Sequence, residues 1–111
     1  MHDYFAEGQR LFNIGQYWHA HEQWEYCWRA AQPPMDNVYK GLIQAAAALV
    51  HLQRGNLRGL QLNWAKARPR LLAAAAILEL IELDDFVHQM DRIVYDNGQY
   101  NKLPTLNLRL K

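Results

Sequence analysis

The residues best able to do chemistry are concentrated in one stretch, Gly15 to Arg29, which holds three of the four tryptophans and two of the five histidines. Within it, His21-Glu22-x-x-Glu25 places an imidazole and a carboxylate four residues apart. On a helix that spacing is one turn, about 6 Å along the axis, close enough to share a cation or a proton. His-Glu-x-x-Glu resembles part of the zinc-peptidase signature His-Glu-x-x-His, but its second histidine is missing, so the peptidase reading fails. A metal held by His21 and Glu25 would need a ligand from a second helix, and His51 is the strong candidate, with Gln44 a weak one. Gln44 and His51 lie seven residues apart, about 10 Å along a helix, and do not reach one small ion together. They could instead bracket a longer ligand in a groove between the second and third helices, walled by Trp18, Trp24 and Trp28. The competing reading is a buried network in which His51 bonds Glu25, His21 bonds a main-chain carbonyl, and the tryptophans are core. Arg29 is four residues from Glu25 and seven from Glu22, so it is expected to pair with one of them, or else to clamp an anion. Cys27 has no base at fixed spacing, His19 is expected in solvent, and His2 and His88 have no partner at ligand spacing.

Helices must position these groups. His2 to Phe12 spaces its aromatics at helical intervals and ends at Asn13-Ile14-Gly15. The second helix carries Tyr17, His21, Trp24, Glu25 and Trp28 on one broad face and stops near Ala31, before Pro33-Pro34. A third, from Val38 to about Arg54 and capped by Asp36 or Asn37, is apolar nearly all round and belongs in the middle of a bundle. Ala46, Ala47 and Val50 are therefore expected near zero exposure, with Gly41 and the alanines admitting close neighbours. Arg54-Gly55-Asn56 makes a tight corner into a fourth helix, Leu57 to Leu78, which Pro69 interrupts without changing the phase of the apolar stripe. After a loop around Glu79 to Leu83, Asp84 or Asp85 would cap a fifth helix ending at Asn97-Gly98. The tail from Leu103 to Leu110 alternates apolar and polar residues and is expected to lie extended across the bundle or a partner. The chain reads as a single all-α domain, residues 1–111, a compact bundle of about five helices with an extended C-terminal tail.

A hydrophobic content of 50% is enough for a core without disulfides, and one cysteine suits a reducing, cytoplasmic setting. No segment has the length of a membrane span, and no signal-peptide pattern is present. Net charge is +1, but Arg58, Lys66, Arg68 and Arg70 form a basic block on the fourth helix; with only Trp64 between them they make a poor nucleic-acid footprint.

Gly15-x-Tyr17, Ala20-His21-Glu22-x-x-Glu25-x-x-Trp28-Arg29, Gly41-Leu42-Ile43-Gln44-x-Ala46-x-Ala48, His51 and Arg54-Gly55-Asn56-x-x-Gly59 come in an order that resembles the small bacterial and archaeal proteins of domain-of-unknown-function family 309. The resemblance spans roughly residues 8 to 72. It implies an all-helical, cytoplasmic bundle with no established reaction, and it departs at Lys40, where the family usually has glutamine. Three functions follow as expectations: a small-molecule or divalent-metal pocket (His21, Glu22, Glu25, Gln44, His51, Trp24, Trp28, Arg29), with His21 or His51 as ligand or general base; a structural, self-associating module, a homo-oligomer; and, weakest, a nucleic-acid contact.

Overall fold

The computed structural model describes residues 2–110. Its five helices are α1 (Tyr4–Asn13), α2 (Tyr17–Ala30), α3 (Met35–Gln53), α4 (Leu57–Leu78) and α5 (Ile81–Tyr95). Each packs on the next in sequence, as short connections require. No helix among the described residues is long and apolar enough to cross a membrane.

The corners follow local chemistry. Asp3 caps α1 by accepting from the Ala6 N–H at 3.0 Å, and Gly15, at φ 83°, turns the chain into α2. Asn56 caps α4 by accepting from the Gly59 N–H at 2.9 Å. Two expected boundaries are wrong. Helix α3 starts at Met35, so Asp36 lies inside its first turn, where its carboxylate accepts from the Asn37 N–H rather than capping. Helix α5 starts at Ile81, because Leu83 is fully buried and draws the first turn onto the core; Glu79, in the left-handed region at φ 54°, and Leu80 make the whole corner. Helix α4 runs through Pro69 unbroken.

The core is built on Phe12, Trp24, Leu42, Leu49, Leu60, Leu71 and Phe86, all fully buried, each contributing about 1.5–3 kcal/mol of transfer free energy. Phe12 joins three elements, with its ring 5.7 Å from Trp24 and 5.5 Å from Phe86. Helix α3 is the most buried, and Gly41 lets it approach α4 so closely that a Cβ there would meet Leu71. Ala46 is sealed and Val50 nearly so, but Ala47 is only half-buried, contrary to expectation. The reason is geometric: Lys40, Gln44, Ala47 and His51 recur at helical spacing as one incompletely covered stripe of α3. Lys40 meets α2 through Trp28, and His51 meets the start of α4 through Asn56.

The tail lies extended on the chain's own bundle, with Leu106 and Leu108 buried in the core.

Candidate functional site

Two contacts fix how α2 and α3 run past each other. At one end the Lys40 ammonium sits 4.6 Å from the centre of the Trp28 ring. At the other, the Gln53 amide donates to the Gly15 carbonyl at 3.0 Å. The helices are therefore antiparallel, with His21 at the level of Ala47 and Gln44 at the level of Trp24. His21 and Gln44 are thus within about 5 Å of each other along the axis, whereas Glu25 and His51 are about 12 Å apart along it.

His21 Nε2 lies 3.5 Å from Glu25 Oε1, both side chains being about one quarter exposed. The His21 ring packs 5.0 Å from the Trp18 ring. The other ring nitrogen, Nδ1, is buried without a hydrogen-bond partner among the described residues, and so is Gln44 Oε1. His21, Glu22, Glu25, Tyr26 and Arg29 line a shallow recess of about 370 Å³ on this face of α2.

The remaining expected site residues go elsewhere. His51 does not bond Glu25. The oxygen of the Asn56 side chain takes the Gly59 N–H, so its amide nitrogen is the group facing His51 Nδ1 at 3.2 Å, which makes that nitrogen the acceptor. The His51 ring lies so close over Gly59 that a Cβ there would collide with it. Among the described residues no three His, Cys, Asp or Glu side chains gather into a metal-binding group; the α2–α3 register separates His51 from Glu25. Trp24 is core, at 0% exposure, and its indole N–H donates to the Phe5 carbonyl at 3.3 Å. Trp18, 55% exposed, is the indole beside His21; its spacing three residues before His21 was the available signal. Trp28 has its face covered by Lys40.

Arg29 pairs with neither Glu25 nor Glu22. Its guanidinium carbon lies 5.9 Å from the Tyr26 ring centre, a contact that competes with an exposed i,i+4 ion pair because both are worth under about 1 kcal/mol. Glu22 meets His19 at 3.2 Å instead, and both remain exposed. His2 contacts Gln23 and Tyr4. Burial, reinforced by the charge of Asp3, pushes the Cys27 thiol up, away from nucleophilic reactivity.

The basic block of α4 is partly committed to the fold. Arg68 reaches both oxygens of the buried Asp91 at 3.0–3.1 Å, and Trp64 donates to the same carboxylate at 2.7 Å. That carboxylate holds the Arg68 guanidinium above its ordinary value. Arg70 donates to Asn37 at 2.9 Å. Among the described residues, Arg58 and Lys66 have no such tie, so half of the block is left for the nucleic-acid reading, which this weakens.

No curated protein and no solved structure matches the chain. A family model described as Domain of unknown function (DUF309) matches residues 5–62, more than half the chain. The matched span runs from α1 into the first turns of α4 and contains the whole His21–Glu25 face and all of α3, and the chain is a member of the DUF309 family.

Proposed function

We propose that the chain is a small-molecule-binding domain whose site is the recess on α2 lined by His21, Glu22 and Glu25, and that its ligand is a small organic cation. The observation that carries this reading is His21 itself: one ring nitrogen faces Glu25 while the other is buried with no partner. A proton on Nε2, shared with the carboxylate, leaves Nδ1 as an acceptor. The carboxylates of Glu22 and Glu25, which line the same recess, are acceptors as well, so a group that satisfies them brings N–H donors and positive charge. Beside them Trp18 offers a free indole face. About three turns further along α2, Trp28 already holds an ammonium, that of Lys40, in the geometry such a ligand would adopt. His21 and Glu25 would orient the ligand, Glu22 would add charge, and Trp18 would stack on it.

Tryptophan fluorescence on adding putrescine or agmatine, with glutarate as a control of opposite charge, tests this. Saturable quenching by the amines alone, weakened at least tenfold in Glu25→Gln and unchanged in His88→Ala, is expected. Equal responses to amine and glutarate, or an unaffected Glu25→Gln protein, would overturn it.

Self-association has its own supporting observation. Tyr4 and Tyr26 stack at 4.6 Å on the outside of α1 and α2, and both are exposed. A concentration-dependent sedimentation coefficient that Tyr26→Ser abolishes would favour that reading, whereas a monomer at every concentration would remove it.

A further inference from the structure

The C-terminal segment is held in an unusual way. Beyond α5 the chain crosses a bundle groove between α1 and α5 in extended form, and its backbone is read by side-chain amides instead of by another strand. Asn13 donates to the Leu106 carbonyl and accepts from the Leu106 N–H, both at 2.8 Å. Gln89 does the same to Thr105, donating to its carbonyl at 3.1 Å and accepting its N–H at 2.9 Å. Gln9 accepts the Leu108 N–H at 2.9 Å. Pro104, Leu106 and Leu108 point inward and are buried, while Asn107 and Arg109 point out. The groove therefore recognises an extended main chain with apolar side chains at alternate positions.

The connection to this segment is loose. Asn97 and Gly98, both at positive φ, close the end of α5, and Gly98 is pinned against Leu52 and Leu57. The next four residues, Gln99 to Lys102, are exposed. Among the described residues their backbone is tied to the bundle by the Gln99 N–H, which donates to the Asp96 carbonyl at 3.1 Å. This linker walls one side of a polar recess of about 510 Å³ whose other side is Asp85, Gln89, Arg92 and Asp96, and it touches the bundle at Tyr100, which lies near Tyr17.

We infer that the α1/α5 groove is a docking site for an extended Pro-x-Leu-x-Leu segment, and that its partner in trans is the same tail of a second copy. All five amide hydrogen bonds and both leucine sites are available to either tail, because the tail of a second copy is chemically identical. Exchange needs only the four exposed linker residues to reroute, and reciprocal exchange closes as a twofold dimer. The α5 wall of the groove and the tail lie outside the residues matched by the family model, and the inference is independent of the cation site.

The test uses full-length protein whose own tail is weakened. Leu106→Asp puts a charge in the apolar site, and Thr105→Pro removes the N–H that Gln89 accepts while keeping both leucines. A fluorescein-labelled peptide of residues 103–110 should bind both variants saturably and at least tenfold more tightly than wild type, whose groove is filled. Adding Asn13→Ala to either variant, or replacing both inward leucines of the peptide by serine, should abolish binding. Folded variants that do not bind the peptide would overturn the inference, as would binding indifferent to Asn13 or to the leucines. Variants that lose their helical fold and do not regain it with peptide would overturn it too, because the tail would then be an inseparable part of the bundle. Recovery of the fold on adding peptide would support it.

Discussion

Tyr17→Phe should stabilise the protein, unlike most substitutions at a residue that is 1% exposed. The ring packs edge-on to Phe12 at 5.0 Å, and phenylalanine keeps that contact. The hydroxyl is buried with no partner, so wild type carries an uncompensated desolvation cost of about 1–3 kcal/mol that the substitution removes. Loss of the oxygen's packing offsets part of it, leaving a gain of about 1 kcal/mol, or roughly 4–8 °C in Tm for a domain of this size. An alkaline signature separates this cause from improved packing. Burial, aided by the nearby Tyr100, pushes the Tyr17 phenol up to about 12 from an ordinary 10.0. The unfolded chain then releases this proton before the folded one, so the contribution is fully present below pH 10 and is lost as pH rises through about 12. Two pH units correspond to about 2.7 kcal/mol. Urea unfolding of both proteins from pH 7 to 12 should show a difference in stability that widens above pH 10. A Tyr17→Phe protein less stable at pH 7 by more than about 0.5 kcal/mol, or curves that stay parallel to pH 12, would refute the argument.

Asp91→Ala should cost about 3–5 kcal/mol in denaturant unfolding, because it leaves the Trp64 indole N–H buried without its acceptor and the Arg68 guanidinium without its counter-charge; a loss below about 1 kcal/mol would contradict the central role given to that carboxylate. Asn56→Ala removes a helix cap and the group that orients His51, and should cost about 1–2 kcal/mol with a shift of the His51 ring signals, whereas His88→Ala, on the exposed face of α5, should change stability by less than about 0.5 kcal/mol.

The helices and their order were legible because the punctuation is local. Gly15, Pro33-Pro34, Gly55 and Asn56 act on their own neighbours, and each ends or caps a helix where its chemistry requires. The start of α5 was misread because Asp84 and Asp85 offered a capping signal that the burial of Leu83 overrode. Helical periodicity placed His21 and Glu25 together correctly, since both lie on one helix. It says nothing of register between helices, so the reading that joins His51 to Glu25 fails and His51 meets Asn56 instead. Alternation in the tail was visible, but the Asn13, Gln89 and Gln9 clamps, from 16 to 99 residues away in sequence, were not.

The central claim, that His21 presents a bare acceptor nitrogen to an amine ligand, is tested most directly by long-range ¹H–¹⁵N spectra of the imidazole side chains with and without saturating putrescine. Before addition, His21 Nδ1 should resonate in the unprotonated acceptor range with the proton on Nε2. On saturation its Nδ1 signal should move while the ring signals of His88 stay fixed. A proton already on Nδ1 in the free protein, or a His21 ring that does not respond while putrescine saturates, would contradict the account.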